Sequence, residues 1–192
     1  MRHIIICGPS RAGKTTLARR IGEELGHFVI HIDKLVTVFQ RAYPRLDIRL
    51  NWDRDKTTEN LAPFLGHFLG LFHADSRPFV LEGGYFDFDR LAPFLKRYGM
   101  PEARDSFILI GLAQNHKTPD EFVRDFRKYD TPGDWTYPLS DEDLREVAED
   151  AVPYSRSMTG HMLKHGFTVY DTSNERERVF QEILADLKGG RV

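Results

Sequence analysis

The sequence predicts a three-layer α/β/α fold built on a five-stranded parallel sheet. Three observations predict it. Five apolar runs of strand length recur along the 192 residues, and most stop at a glycine or a carboxylate. The runs are continuous rather than alternating, the pattern of strands covered on both faces. Helical patterns separate them, and strand–helix alternation implies parallel strands joined by right-handed crossovers.

The elements follow in order. Ile4-Ile5-Ile6-Cys7 is the first strand and ends at a glycine turn. The first helix runs from Lys14 to Leu25, with Leu17, Ile21 and Leu25 on one face and Gly26 as its stop. Phe28 to Ile32 is the second strand and ends at Asp33. From Thr57 to Phe72, Leu61, Phe64, Leu65, Phe68, Leu69 and Phe72 form one apolar stripe. Phe79-Val80-Leu81 is the third strand, and Phe107 to Ile110 the fourth. Thr118-Pro119-Asp120-Glu121 reads as a capping box with proline at the first helical position. Ser140 and Asp143 open another helix, which Pro153 is expected to kink or split. Phe167 to Tyr170 is the fifth strand. Thr172-Ser173-Asn174-Glu175 is expected to cap the last helix, where Val179, Ile183 and Leu187 share a face. Two polar, proline-bearing stretches, Arg41 to Asp55 and Tyr129 to Ser140, read as loops.

Composition narrows the function classes. Hydrophobic residues make up 41% and charged residues 29%, which excludes wholesale disorder. The formal charge of -2 supplies no bulk attraction to nucleic acid or membrane. The length fits one domain over residues 1–192. Cys7 is the single cysteine, so no disulfide framework forms within the chain, and a reducing compartment is expected. Leu61 to Phe72 is about half a membrane span and contains His67, so it reads as a buried helix. The apolar run before Gly8 is too short for a signal peptide. The expected location is cytoplasmic.

Gly8-Pro9-Ser10-Arg11-Ala12-Gly13-Lys14-Thr15 matches G-x-x-x-x-G-K-[ST] at every fixed position. It follows an apolar strand and opens an amphipathic helix, the context such a loop requires. The two glycines let the backbone curl so that successive N–H groups point at phosphate oxygens. The helix start, with Thr16 in its first turn, adds the positive end of its dipole. Lys14 would reach the β- and γ-phosphates, and the Thr15 hydroxyl would ligate Mg²⁺. Arg11 either touches phosphate or is solvated. The fold is thus a P-loop NTPase fold, and the cofactors implied are ATP and Mg²⁺. A guanine-specific N-K-x-D is missing, since Asn115-His116-Lys117-Thr118 displaces the lysine and lacks the aspartate. A motor ATPase is excluded by length and by Phe79-Val80-Leu81-Glu82, which offers one glutamate where a motor usually has an aspartate or Asp-Glu.

At this point the chain resembles the P-loop small-molecule kinases of the adenylate kinase-like group, including shikimate and gluconate kinases and the DNA topology-modulation proteins. The segments that carry the resemblance are GPSRAGKTTLARRIGEELG, HFVIHIDKL, FVLEGGYF, ILIGLAQNHKTPDEFVRDFRKYD and FTVYDTS. The resemblance implies a helical acceptor-binding insertion, about residues 34–77, and a lid, about residues 129–140. It implies that Asp33 faces the γ-phosphate and the acceptor hydroxyl. A carboxylate there orients or deprotonates the acceptor, or holds Mg²⁺ through water; the alternative is a helix cap. His31 beside it reads as a strand residue rather than a base. Glu82, Gly83, Gly84 and Tyr85 occupy the position after the third strand, where the glycines admit substrate and the carboxylate meets substrate or the magnesium shell; the alternative is a plain turn. Arg124 and Arg127 lie three apart on one helix face and match lid arginines that neutralise the phosphoryl group, with Arg156 a further candidate. The alternative is a solvated face paired with Asp120, Glu121 and Asp125. Trp135 and Tyr137 would pack over the nucleotide, and Asp171-Thr172-Ser173 would lie near the adenine.

The insertion is rich in arginine and aromatic residues: Arg41, Tyr43, Arg45, Arg49, Trp52 and Arg54. They bind an anionic acceptor, such as a nucleotide or hydroxy acid, or they are surface charges matched by Asp47, Asp53 and Asp55. The leading expectation is an ATP-dependent kinase of a small molecule, with no membrane or nucleic-acid partner. Two alternatives stand beside it: an ATP-binding regulator with little catalysis of its own, and a polynucleotide 5′-kinase, which the near-neutral charge disfavours.

Overall fold

The computed structural model describes residues 2–50, 53–132, 134 and 136–191. Trp52 and Trp135 lie outside the described residues. Five strands form one parallel sheet: β1 His3–Cys7, β2 Phe28–His31, β3 Phe79–Gly83, β4 Phe107–Ala113 and β5 Thr168–Asp171, in the order β2-β3-β1-β4-β5. Ile4 of β1 is registered with Val80 of β3 on one side and Ile108 of β4 on the other. Chain order reverses direction at β1. In open α/β sheets the crevice at such a switch point, at the carboxyl ends of the strands, is where ligands bind.

Among the described residues there are seven α-helices: α1 Lys14–Leu25, α2 Ile32–Ala42, α3 Arg54–Phe72, α4 Phe88–Leu95, α5 Pro119–Tyr129, α6 Asp141–Lys164 and α7 Arg176–Gly189. The two-residue alternation of a strand assigns each side chain to a layer. Ile4 and Ile6 pack with Leu17 and Ile21 of α1 and Phe180 and Ile183 of α7. Ile5 and Cys7 face the opposite layer, with Val36 of α2, Leu61, Leu65 and Leu69 of α3, and Leu91 of α4. A third cluster joins Phe122 and Phe126 of α5 to Leu144 and Ala148 of α6. The capping box expected at Thr118 is formed, and the helix expected to open at Ser140 does so, also with a capping box.

Three local expectations are corrected, and one helix was not anticipated. β2 stops at His31, and Ile32 already begins α2, so Asp33 sits in a helical first turn and does not cap it. α4 was not legible, because Pro93 interrupts an eight-residue pattern; its start is nonetheless capped by Asp87, which accepts from Asp89 and Arg90 N–H. α6 runs through Pro153 without a split. α7 has no side-chain cap: Glu175 precedes it in a left-handed conformation, and the Thr172 hydroxyl turns inward instead, donating to Ala113 O or Ala12 O, each 3.0 Å away. No helix among the described residues is long and apolar enough to cross a membrane.

Candidate active site

The loop from Gly8 to Gly13 leaves β1 at the switch point and enters α1. Gly13 stands at the helix entrance with φ 93°, and a Cβ there would come within 2.6 Å of the Phe180 ring. A Cβ on Gly8 would come within 2.4 Å of Leu112 O. Both positions require glycine on these grounds. Neighbouring loops brace the curl. Gln114 Nε2 donates to Arg11 O at 3.0 Å, and the Thr172 hydroxyl reaches Ala12 O. Lys14 Nζ donates to Pro9 O at 2.8 Å. Burial lowers the Lys14 pKa, while the Glu82 and Asp33 carboxylates pull it back up.

Three carboxyl ends meet at Glu82. Its side chain is buried at the end of β3, opposite His31 of β2 and Ile6 of β1. Glu82 Oε1 lies 2.6 Å from His31 Nδ1 and accepts from the Thr15 hydroxyl at 3.1 Å. Asp33 is solvent-accessible within the concave site. Partial burial still raises its pKa, with Lys14 opposing and Glu82 adding to the rise.

The cavities around the loop adjoin one another. One, of about 440 Å³, is lined by Lys14, Thr15, Asp33, Arg54, Glu82 and Tyr85, among others. A second is lined by Gly13, Thr16, Tyr129 and Arg176 and shares Arg11, Lys14 and Thr15 with the first. A third continues past Tyr129 and Arg176 to Lys117, Arg124, Thr172 and Ser173. Lys14 and Thr15 therefore stand where two cavities join.

Most of the expected residues converge here: Ser10, Arg11, Lys14, Thr15, Asp33, Glu82, Gly84 and Tyr85 line the first cavity, and Gly13 and Thr16 the second. Gly83 backs the site inside β3. Four expected arginines sit elsewhere. Arg41 is exposed near the end of α2 and does not line the first cavity. Arg124 lines the outer cavity, 3.7 Å from Glu121. Arg127 donates to Asp141 at 2.7 Å and to Leu139 O at 2.8 Å, so it braces residues 139–141. Arg156 donates to Asn115 O at 3.2 Å. Tyr137 is exposed, and the aromatic residues that line the cavities are Tyr85 in the first and Tyr129 and Phe180 in the second.

The sequence reading did not single out two residues that the fold brings to the site. Arg54, the first residue of α3, donates to Gly84 O at 2.8 Å and lies between the rings of Tyr154 and Tyr85, 4.8 and 5.5 Å from their centroids. His31 was read as a packing residue and is the partner of Glu82. The hydroxyl of Thr15 and the carboxylates of Asp33 and Glu82 form an all-oxygen donor set beside Lys14, which fits Mg²⁺.

No family model matches the chain, and no curated protein matches its sequence. Solved structures do match over nearly its whole length. The shikimate kinase from Acinetobacter baumannii in complex with shikimate is 18% identical with a TM-score of 0.60, covering 100% of this chain and 96% of that one. The shikimate kinase from Bacteroides thetaiotaomicron is 17% identical with a TM-score of 0.59, covering 97% and 98%. A gluconokinase from Sinorhizobium meliloti is 16% identical with a TM-score of 0.54, covering 97% and 91%. The chain has the fold of these P-loop kinases.

Proposed function

We propose that the protein is an ATP-dependent kinase that transfers the γ-phosphate to a small-molecule acceptor carrying an anionic group. One observation supports this most: Lys14 and Thr15 are shared by two adjoining cavities, so a triphosphate tail and an acceptor would meet at them. The first cavity has the size of a small-molecule site. The similar structures include shikimate kinase and gluconokinase, which bind small acceptors by their names.

The whole chain is then one kinase domain. Residues 34–77 supply the acceptor side through Asp33's helix and Arg54, and residues 129–140 act as the lid. The loop amides and Lys14 hold the β- and γ-phosphates. Asp33 accepts the proton of the acceptor hydroxyl as its oxygen attacks the γ-phosphorus; the bond from that phosphorus to the bridging oxygen breaks, and ADP leaves. Thr15, with Asp33 and Glu82 through water, would hold Mg²⁺, which when bound neutralises phosphate charge. Arg54, in cation–π contact with two tyrosine rings, suits a carboxylate or phosphate on the acceptor.

The test is ADP formation with Mg-ATP across nucleosides, nucleotides, sugars and hydroxy acids. The proposal expects ADP to form in an acceptor-dependent way and Lys14→Ala to abolish it. ATP binding with no acceptor-dependent ADP across the panel would favour the regulatory reading.

A further inference from the structure

Away from this site, Asp89 in the first turn of α4 meets His161 and His165 at the end of α6. We propose that these three residues bind a divalent transition metal of the zinc type and so tie α4 to α6. The histidines are four residues apart, His161 in the last turn of α6 and His165 at its cap, which puts them on one face; their rings are tilted by 56° with centroids 4.6 Å apart. One ligand atom from each of the three residues lies within 4.8 Å of the others. Tetrahedral ligation places donor atoms about 3.3 Å apart, so side-chain rotation of an ångström or so closes the set.

Among the described residues, neither His161 Nε2 nor His165 Nε2 has a hydrogen-bond partner, although both atoms are buried. The nearby carboxylate oxygens are Asp87 Oδ1 at 3.8 Å and Asp89 Oδ1 at 3.4 Å. Two buried imidazole nitrogens that lack hydrogen-bond partners and lie within 4 Å of carboxylate oxygens are what a metal ion would satisfy. Lys164 Nζ now neutralises Asp89 at 2.6 and 2.9 Å, but its side chain is largely exposed and free to swing away. Two imidazoles and a carboxylate select zinc, cobalt, nickel or copper over magnesium. The cluster is thus chemically distinct from the all-oxygen set at Thr15. It also adjoins the active site along the chain. Asp89 lies five residues beyond Gly84, and His161 two helical turns beyond Tyr154, which flanks Arg54.

The experiment uses tag-free, chelator-treated protein without nucleotide, titrated with Co²⁺ and Zn²⁺. One equivalent should bind, Co²⁺ should give the visible bands of a low-coordinate site, and Zn²⁺ should raise the melting temperature. His161→Gln and His165→Gln should each weaken binding by more than about 100-fold, above what loss of a supporting residue does. Lys164→Met should tighten it by removing the competing cation. X-ray absorption of the zinc-loaded wild type counts the ligands even where a variant fails to fold; two imidazoles and oxygen are expected. A zinc shell without imidazole, unchanged cobalt binding in the folded double histidine variant, or no stoichiometric binding by the wild type would overturn the proposal.

Discussion

His31 Nδ1 lies 2.6 Å from Glu82 Oε1, and the same oxygen accepts the hydroxyl of Thr15 at 3.1 Å. One carboxylate oxygen thus joins the ends of β2 and β3 to the first turn of α1. The register explains it: His31 and Glu82 are cross-strand partners, and Glu82 is also level with Ile6, one residue before β1 ends. This hydrogen bond constrains Thr15, which lines both shared cavities.

Glu82→Gln keeps the shape and removes the charge. Turnover with Mg-ATP is expected to fall about 100-fold, in the range typical of a lost charged group at a phosphoryl-transfer site. Affinity for ATP without magnesium should change little. Steady-state kinetics and a metal-free binding titration separate these, and unchanged turnover would reduce Glu82 to a structural brace. His31→Ala leaves the carboxylate in place and should cost less.

The contrast between these residues shows what a sequence discloses. Gly8, Gly13, Lys14 and Thr15 were legible because the backbone curl fixes their spacing along the chain. Asp33 was singled out through the resemblance, as the carboxylate just past an apolar run, and although it sits in a helical first turn it lines the first cavity. The His31–Glu82–Thr15 junction was not, because it depends on the register of two strands about fifty residues apart. Arg54 was one of several arginines in a polar stretch, and only the packing of Tyr85 and Tyr154 around it distinguishes it from Arg41. The layers were read correctly from continuous apolar runs; α4, short and carrying a proline, gave no such signal.

Asp33 should make the protein less stable at neutral pH than it need be. Its ordinary pKa is 3.8, and partial burial raises it in the folded chain. Below 3.8 both folded and unfolded chains hold the proton, and the group has no net effect. As pH rises, the unfolded chain ionises first, so stability falls until the pH passes the raised native value. Asp33→Asn, which mimics the protonated form, should melt above the wild type at neutral pH and converge with it in acid. The same substitution should remove most turnover, and the wild type's acid limb in kcat/KM should lie above the ordinary carboxylate range. A variant that melts lower at neutral pH would contradict the sign.

Arg54 should govern the acceptor and not the nucleotide. Its guanidinium is fixed by Gly84 O and two tyrosine rings, a geometry that an ammonium does not reproduce. Arg54→Lys is expected to raise the acceptor KM about tenfold or more while the KM for ATP stays within about twofold. Equal changes in both constants would place Arg54 in general site integrity instead.

Arg11 should anchor Asp130, Asp134 and Thr136 to the phosphate loop. Its backbone is left-handed, with φ 63°, and its side chain reaches these residues. There it pairs with Asp130, lies 3.3 Å from Asp134, donates to Thr136 at 3.3 Å, and sits over the Phe126 ring. Asp130 keeps only 5% of its side chain exposed, so removing the arginine strands a buried carboxylate. Arg11→Ala is expected to cost about 2 kcal/mol, below the range for a fully buried pair because the arginine keeps part of its surface in solvent. Amide exchange across residues 130–136 should accelerate more than in the sheet. Adding Asp130→Asn to Arg11→Ala should recover much of that loss, because the stranded charge goes with its partner. If the double variant is less stable than Arg11→Ala alone, the penalty comes from the loop's backbone and not from the ion pair.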